Sequence, residues 1–436
     1  MNYEDKLICP SLGIKDGRLT FAGLDVTSVA REFGTPLYLY DEGRIRENCR
    51  AYTKALKEAF SGGAEAAYAS KAASFKQMYR VVTGENMSID VVSVGEILTA
   101  KAAGVDLSRA YFHSNNKTDA DIRAAMDCGV GTFVIDSLDE LSAVDSEAAS
   151  RGIRQKALLR LTPGIDPHTF KAVATGKVDS KFGFAITTGQ AKEALEKALS
   201  YRGIDLCGFH CHVGSQLFDS DVYIRSSEIM IDFIAQAKAE NGFVTRVLDL
   251  GGGYGVRYLP SHPKLDVAAN IKQLADFVKS KCAEKGVALP KIVLEPGRSI
   301  VADAAITVYT VGSVKKIPGY INYVSVDGGM SDNVRYAMYS SPYTVLPADV
   351  SDKETMICTL AGRCCESGDV IQPNVELPAD IKRGDLVAVQ TTGAYNYSMA
   401  SNYNRIPRPP VVMIKDGEAY VAVRRETYED LMQYDN

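Results

Sequence analysis

The feature that most constrains the fold of this chain is a pattern that recurs eight times between about residues 65 and 298. Each repeat opens with a short apolar run that ends in polar or glycine residues, and a helical stretch follows. Strands that alternate with helices form parallel sheets, and eight such units in roughly 230 residues are typical of a (β/α)8 barrel. An open doubly wound sheet is the alternative. The apolar runs are AAYAS (66–70), SIDVV (88–92), AYFH (110–113), TFVID (132–136), ALLRL (157–161), LCGFHCH (206–212), RVLDL (246–250) and KIVLE (291–295).

The chain changes character after residue 298. Runs such as ITVYTVGSVKKI, TMICTLAGR and DLVAVQTTGAY are β-rich and separated by glycine turns, which predicts an all-β domain, a sandwich or a barrel, over 299–436. A chain of 436 residues exceeds the size at which a single core stops growing, so two domains are expected. We assign 35–298 to the barrel and expect 1–34, which contains LTFAGLD, to join the β domain and supply an extra strand.

Composition and charge exclude several classes of protein. A net charge of -5 gives no general attraction to nucleic acid or to anionic membranes. No run of 18 or more apolar residues is present, so we expect no membrane span. The first residues lack a basic start followed by an apolar run, so we expect no secretory signal. Nine cysteines without CxxC or zinc-like spacing indicate reduced thiols, no metal site and a cytoplasmic protein.

Polar residues of unusual type follow the apolar runs. In a barrel, functional groups collect on the loops after the carboxyl ends of the strands. Such residues occur at all eight runs, which predicts one site built from many strands. In chain order they are Lys71, Asp90, His113 to Asn116, Asp136, Arg160, His212 to Gln216, Gly251 to Gly255, and Glu295 to Arg298.

The glycine run after the seventh strand invites comparison with a dinucleotide site. GGGYGV lacks the third glycine of GxGxxG and does not open a βαβ unit, so that reading fails. Backbone N–H groups can approach an anion closely where there is no Cβ. A glycine turn after strand seven with Arg298 after strand eight matches the usual phosphate site of a barrel, and Ser215 adds a hydroxyl. A simple tight turn is the alternative.

Six segments stand out along the chain: YASKA (68–72), HVGSQ (212–216), GGG (251–253), EPGR (295–298), CESGD (365–369) and GAY (393–395). No single segment is specific, but their combination is. Together they resemble the alanine-racemase-like, fold-type III decarboxylases that depend on pyridoxal 5'-phosphate (PLP), and among them most closely the diaminopimelate decarboxylases. The resemblance covers nearly the whole chain, with the segments in the family's order.

The resemblance implies roles for the cofactor site. Lys71 would form a Schiff base with the PLP aldehyde, and we expect its amine to be partly desolvated. Glu295 would pair with the pyridine nitrogen, and His212 would stack on the ring. Groups around the phosphate would be Ser215, Gly251, Gly252, Gly253, Gly297, Arg298 and Tyr395. Supporting residues would be Asp90, Asn115, Asp136, Arg160 and Lys181.

The β domain would supply the groups that select the substrate. The segment SDNVRYAMY (331–339) resembles the substrate loop of diaminopimelate decarboxylases, so Arg335 and Tyr339, with Arg298 and Tyr395, would bind the distal carboxylate. Many relatives have proline where this chain has Tyr336, which leaves the Arg-x3-Tyr spacing intact.

The segment around Cys365 and Glu366 would complete the site. Glu366 would bind the distal ammonium, and Cys365 would lie near the α carbon as a candidate proton donor. In the family this loop reaches into the partner's barrel, so the resemblance implies a homodimer with a shared active site.

We therefore expect PLP-dependent decarboxylation of meso-2,6-diaminopimelate to L-lysine and CO2, the last step of lysine biosynthesis. The alternative within this chemistry is an arginine, ornithine or carboxynorspermidine decarboxylase, which should not need Arg335. A racemase shares the barrel and the lysine but normally uses a tyrosine base, against which the Cys365–Glu366 loop argues. A binding protein that has lost catalysis would be expected to lose Lys71 or the phosphate site, and both are present.

Overall fold

The computed structural model describes residues 3–165, 179–350 and 354–436. The chain forms two compact units. The barrel unit comprises Asn48–Gly255 and Leu265–Gly297, and the β unit comprises Met1–Glu47, Val256–Lys264 and Arg298–Asn436.

Strands and helices alternate through the middle of the chain, and strands dominate its end. The strands are β1 Leu12–Lys15, β2 Arg18–Phe21, β3 Leu24–Asp25, β4 Leu37–Asp41, β5 Ala64–Ala69, β6 Ser88–Val91, β7 Tyr111–Phe112, β8 Thr132–Ile135, β9 Gln155–Thr162, β10 Phe184–Ala185, β11 Ile204–His210, β12 Val247–Asp249, β13 Lys291–Leu294, β14 Ala305–Lys315, β15 Asn322–Val326, β16 Val345–Pro347, β17 Thr355–Ala361, β18 Val370–Pro378, β19 Leu386–Gln390, β20 Val411–Lys415 and β21 Glu418–Val423. The α-helices are α1 Val26–Phe33, α2 Glu42–Phe60, α3 Lys76–Gly84, α4 Val94–Ala102, α5 Asp119–Asp127, α6 Leu138–Ser150, α7 Gln190–Ser200, α8 Asp221–Asn241, α9 Val267–Glu284, α10 Arg298–Val301, α11 Arg335–Tyr339 and α12 Tyr428–Met432.

Eight parallel strands of the described chain close into a barrel. Their order is β9-β11-β12-β13-β5-β6-β7-β8, and β8 pairs back to β9, so the sheet has no open end apart from the short β10 beside β9. All eight apolar runs of the sequence are strands of this barrel. The (β/α)8 prediction is confirmed, and the open doubly wound alternative is wrong because β8 and β9 share hydrogen bonds.

Small and branched side chains fill the barrel interior. Ala67, Val134, Leu158 and Val293, from four different strands, belong to one buried cluster. Such layers of inward-facing residues make the barrel a packed core and leave chemistry to its rims.

Among the described residues, none of the helices combines the length and apolarity needed to cross a bilayer.

A mixed sheet organises the β unit. Its order is β18-β17-β15-β14-β4-β20-β21, and β19 pairs with both β14 and β16. The strand β4 lies between β14 and β20, whereas the sequence had placed residues 35–47 in the barrel domain. The reason is that LYLYD is buried on both faces, as barrel strands are, so its pattern does not reveal which sheet it joins. Residues 256–264 likewise lie in the β unit.

The N-terminal segment also lies in the β unit. Its strands β1, β2 and β3 form a three-stranded sheet of their own, where we had expected one extra strand of the larger sheet. Leu19 and Phe21 are fully buried in a core shared with residues of β4, β14 and β20. The Leu19 amide also donates to the Ala348 carbonyl at 2.9 Å. The segment is therefore anchored both by side-chain packing and by hydrogen bonds.

Helix caps hold the loops that follow the barrel strands. Ser93 precedes α4 and Ser137 precedes α6, and each hydroxyl accepts a hydrogen bond from the third residue of its helix, Glu96 N and Glu140 N, both at 3.2 Å. Serine is favoured at this position because it satisfies an amide that the helix leaves unpaired. These caps fix the turn after β6 and the turn after β8.

A buried ion pair joins the turn after β7 to the first turn of α6, the helix that follows β8. The Lys117 ammonium donates to Glu140 Oε1 and to the Val134 carbonyl, both at 2.7 Å. Glu140 Oε2 accepts from the Asp136 amide at 3.1 Å. Burial lowers the pKa of Lys117 and raises the pKa of Glu140, in each case against the attraction of the partner. The pair therefore contributes little net free energy, but either member left alone would be costly.

We expect Lys117→Met to lower the free energy of unfolding by about 3–5 kcal/mol, because it leaves the buried Glu140 carboxylate without its cation. Urea denaturation followed by circular dichroism would measure this. The double variant Lys117→Met/Glu140→Gln should recover most of the loss, since the amide oxygen can still accept from Asp136. A single variant as stable as the double one would contradict this account.

Candidate active site

A buried carboxylate between two imidazoles lies at the carboxyl ends of the barrel strands. Glu295 directly follows β13, His210 ends β11, and His113 directly follows β7. His113 Nε2 lies 2.6 Å from Glu295 Oε1, and His210 Nε2 lies 3.3 Å from Glu295 Oε2. The two imidazole rings meet edge-on with centroids 4.9 Å apart. Each carboxylate oxygen of Glu295 therefore has its own ring nitrogen.

The charges in this cluster follow from burial and proximity. Burial by itself would raise the pKa of Glu295, but His113 and His210 hold it well below its usual value. Burial works against the charged form of His113 too, yet Asp90 and Glu295 raise its pKa above the usual value. Burial lowers the pKa of His210 to about 4. These shifts favour the ionised form of Glu295 and the protonated form of His113, and they leave His210 neutral near pH 7.

Two more acids lie next to this cluster. The Asp90 carboxylate is 3.7 Å from His113 Nε2, and burial raises its pKa to about 6. Asp249 accepts a hydrogen bond from the Gly251 amide at 2.8 Å, and burial together with the charge of Glu295 raises its pKa well above the usual value. The strand register explains this proximity, because Asp249 of β12 pairs with His210 of β11.

Lys71 lies in a single 3-10 turn, Ser70–Ala72, directly after β5. It is thus at the same rim as Glu295. Its positive charge acts on Asp90 and on His212. The residue is exposed and lies directly after the buried Ser70, where β5 has ended. Partial desolvation of its amine stays a prediction.

The glycine run after β12 lets segments of backbone approach each other closely. A Cβ on Gly252 would lie 2.0 Å from the Glu295 carbonyl oxygen, and one on Gly253 would lie 2.3 Å from the Gly214 carbonyl oxygen. Gly251, with φ +69°, would meet His212 Nδ1 at 2.9 Å. These glycines pack the seventh-strand turn against the turns of the sixth and eighth strands. Ser215 follows Gly214 and is half-buried.

Tyr223 of α8 supports this turn from the outside. Its hydroxyl donates to the Gly252 carbonyl at 3.4 Å, and its ring stacks on Tyr254 with centroids 4.6 Å apart. The turn is therefore fixed by both backbone packing and an aromatic pair.

His212 remains partly accessible at this rim. Burial lowers its pKa well below the usual value, with further contributions from the charges of Lys71 and Arg160. The ring is therefore neutral near pH 7. A neutral aromatic face next to Lys71 suits a planar heterocycle.

The fourth and fifth strands contribute a second ion pair. Arg160 Nη1 lies 3.4 Å from Asp136 Oδ2, and its guanidinium lies 4.2 Å from the centroid of the Phe182 ring. Lys181 is exposed, and its ammonium nitrogen lies 4.9 Å from the centroid of the same ring. Asn115 is half-buried in the turn after β7.

Gly297 closes the loop after β13. A Cβ there would lie 2.8 Å from the Ala69 Cβ and 3.0 Å from the Ala69 carbonyl oxygen. The glycine therefore allows the Glu295 loop to pack against the strand that precedes Lys71.

The β unit contains a second cluster, of arginine and tyrosine. Arg298 Nη1 donates to the Tyr258 hydroxyl at 2.6 Å, and its guanidinium lies 4.8 Å from the Tyr395 ring centroid. The Arg335 guanidinium lies 5.3 Å from the same ring and 5.4 Å from the Tyr339 ring. Both arginines are buried. Stacking on aromatic faces holds the planar guanidinium groups while leaving their N–H edges for hydrogen bonds.

Cys365 and Glu366 lie on an exposed turn of the β unit. The Cys365 amide donates to Asn404 Oδ1 at 2.8 Å. Beneath the turn, Asp369 Oδ2 accepts from the Cys364 amide at 2.7 Å, and Asp369 Oδ1 accepts from the Met330 amide at 2.6 Å. The turn is thus held by hydrogen bonds from backbone amides to the side chains of Asn404 and Asp369. The side chains of Cys365 and Glu366 are exposed.

Sequence reasoning missed several members of these clusters. His113 was noted at a strand end without a role, and His210, Asp249, Tyr223 and Tyr258 were not noted. For His210 a signal existed, because residues two apart on a strand share a face, so His210 and His212 should act at the same rim. Tyr258 gave no signal, since only the tertiary fold brings it to Arg298.

The barrel rim fits a phosphorylated pyridine such as PLP. The glycine turn offers backbone that an anion can approach, Lys71 offers an amine, and Glu295 is an anionic partner for a protonated ring nitrogen. The carboxylate is held ionised by its own surroundings, which is what such a partner requires.

Comparisons with known proteins agree with this geometry. A family model described as pyridoxal-dependent decarboxylase, pyridoxal binding domain, matches residues 42–302. The diaminopimelate decarboxylase of Bacillus subtilis is 43% identical, over 96% of this chain and 95% of the relative.

Solved structures give the same result. The crystal structure of diaminopimelate decarboxylase from M. jannaschii in co-complex with L-lysine has a TM-score of 0.90 and 33% identity, with 98% of each chain covered. A lysine/ornithine decarboxylase from Vibrio vulnificus complexed with cadaverine has a TM-score of 0.75 and 26% identity, over 90% of this chain and 98% of that chain. The resemblance seen in the sequence is confirmed, and the cofactor is PLP. The chain belongs to the diaminopimelate decarboxylase family of pyridoxal-dependent decarboxylases.

Proposed function

We propose that this enzyme decarboxylates meso-2,6-diaminopimelate to L-lysine and CO2 and so completes lysine biosynthesis. The observation that carries the proposal is the buried guanidinium of Arg335 between the rings of Tyr339 and Tyr395. Its Nη2 donates to the Ser341 hydroxyl at 3.3 Å, and its Nε has no hydrogen-bond partner among residues 3–165, 179–350 and 354–436. A buried cation of this kind suits a ligand that brings its own carboxylate.

The distal end of the substrate distinguishes the candidates. Diaminopimelate ends in both an ammonium and a carboxylate, whereas ornithine-like substrates end in an ammonium alone. In this proposal Arg335 binds the distal carboxylate together with Arg298, Tyr339 and Tyr395, and Glu366 binds the distal ammonium. An arginine suits this task because its planar fork donates two parallel hydrogen bonds to a carboxylate.

The barrel residues would hold and tune the cofactor. Lys71 would bind the PLP aldehyde, Glu295 the ring nitrogen, and His212 the ring face. Bound PLP supplies the electron sink that accepts the electron pair as CO2 leaves. The phosphate would be held by the Gly251 to Gly253 turn and Ser215, next to Gly297, Arg298 and Tyr395. Asp90, Asn115, Asp136, Arg160 and Lys181 would support these groups.

We also propose that the enzyme is a cytoplasmic homodimer whose active sites are shared. Cys365 and Glu366 are exposed on their turn, which leaves them available to a partner's barrel. Cys365 would deliver a proton to the α carbon after CO2 has left. All nine cysteines are free, in keeping with a reducing compartment.

Purified enzyme with PLP should release CO2 and form L-lysine from meso-diaminopimelate. Among the substrates tested, only this one has a second, distal carboxylate that Arg335 could bind. Ornithine, arginine, L-lysine and carboxynorspermidine are the parallel substrates. Mass spectrometry would identify the product of each reaction, and CO2 release would measure its rate. Faster turnover of one of the other substrates would keep the decarboxylase and overturn the proposed specificity.

Replacing Arg335 by methionine should lower kcat/KM for diaminopimelate by about 30-fold to several thousand-fold. This corresponds to roughly 2–5 kcal/mol for truncating one side of a buried charge pair. Most of the change should appear in KM, since the distal carboxylate does not react. The exposed Arg383→Met is the matched control and should behave as the wild type. Equal kinetics for the two variants would reject the clamp.

Cys365→Ala should slow turnover by about 100- to 10,000-fold, the usual contribution of a positioned general acid. The absorbance of bound PLP should stay unchanged, because Cys365 does not hold the cofactor. Full activity of this variant would remove Cys365 from the mechanism.

A mixture of Cys365→Ala and Lys71→Ala chains tests the shared site. Random pairing of two inactive chains gives mixed dimers in which one site has neither change, so about a quarter of wild-type activity should return. No recovery after verified subunit exchange would place both residues in one chain's site.

A further inference from the structure

His113 and His210 have no role in the function proposed above, yet they touch the group on which that function depends. The ring nitrogens lie 2.6 Å and 3.3 Å from the two oxygens of Glu295. At most 7% of any of these three side chains is exposed, so water cannot replace the contacts.

Glu295 needs such partners because its other neighbours oppose its charge. Asp90 of β6 and Asp249 of β12 are both buried, and the charge of Glu295 acts on each of them. Three carboxyl groups in a space with little water cannot all ionise, and an unpaired buried carboxylate becomes protonated. A protonated Glu295 would no longer offer a full negative charge to a ring nitrogen.

His113 is the group best placed to decide which acid ionises. Its Nε2 lies nearer to Glu295, at 2.6 Å, than to Asp90, at 3.7 Å. His210, at 3.3 Å from the second oxygen, is neutral and can orient that oxygen by donating its N–H. The two histidines therefore differ: one supplies charge and the other supplies direction.

We propose that His113 is a positioning residue that keeps Glu295 ionised and aimed at the protonated ring nitrogen of PLP, while His210 orients the second carboxylate oxygen. This inference rests on the proposed function, in which Glu295 pairs with that nitrogen. In this proposal His113 acts entirely through Glu295.

The test compares PLP with its carbocyclic analogue, in which a C–H group replaces the ring nitrogen and the aldehyde and phosphate are kept. Dissociation constants for both are measured by absorbance titration of cofactor-free wild type, His113→Leu, His113→Gln, His210→Gln and Glu295→Gln. For His113→Leu and His113→Gln we expect PLP binding to weaken by about 10- to 100-fold, the usual effect of losing a partner that orients a binding group. Binding of the analogue should stay at the wild-type value.

Each variant separates one explanation from the others. Glutamine at position 113 keeps a hydrogen-bond donor without the charge, so PLP affinity equal to that of the wild type would overturn the ionising role. The two His113 variants could instead weaken the binding of PLP and of the analogue equally, or abolish the binding of both. Either result would show that His113 has only a structural role and would overturn the proposal. A smaller loss for His210→Gln than for His113→Gln supports the division of roles, and the reverse order contradicts it.

The Glu295→Gln variant tells failure of this inference from failure of the proposed function. Suppose that Glu295→Gln weakens the binding of PLP but not of the analogue, while His113→Gln changes the binding of neither ligand. The role of Glu295 then stands and that of His113 is wrong. If Glu295→Gln changes the affinity for both ligands equally, the pairing of Glu295 with the ring nitrogen is wrong, and so is the inference that rests on it.

Discussion

The carboxylate of Glu295, buried between His113 and His210, makes the contacts on which the proposed cofactor site depends. A carboxylate at this depth would normally take up a proton, and the two imidazoles reverse that tendency. The contact exists only because the barrel closes, since His113 follows β7, His210 ends β11 and Glu295 follows β13. Closure therefore sets the shape of the rim and also the surroundings that favour the charge on Glu295, the acid proposed to pair with the cofactor.

Backbone packing supports the same rim from below. Gly252, Gly253 and Gly297 sit where a single added carbon would collide with a neighbouring turn. These glycines bring the turns after the sixth, seventh and eighth strands together, and the Tyr223 hydroxyl fixes the middle one. Lys71 is by contrast exposed on its own turn. The rim thus combines a closely packed glycine turn with an exposed lysine.

In the β unit, aromatic rings hold two buried guanidinium groups in place. Arg298 and Arg335 share contacts with the ring of Tyr395, whose backbone has φ +65°. Aromatic faces satisfy the flat sides of the guanidinium groups without using up their N–H donors. This arrangement supports the proposal that the cluster binds a distal carboxylate, which is the group that separates diaminopimelate from ornithine-like substrates.

The sequence by itself determined the eight barrel strands, the rim on which the polar residues collect, and the family, because apolar runs and motif spacing are local properties of the chain. It misplaced β4, whose two buried faces look like those of a barrel strand, and it expected one N-terminal strand where three form a small sheet. It also missed His210, Asp249 and Tyr258. Only the tertiary structure decided these points, since strand partners and the charge of a buried acid depend on residues far apart in the chain. Lys71 was recognised from its motif, but its exposure was decided by where β5 ends.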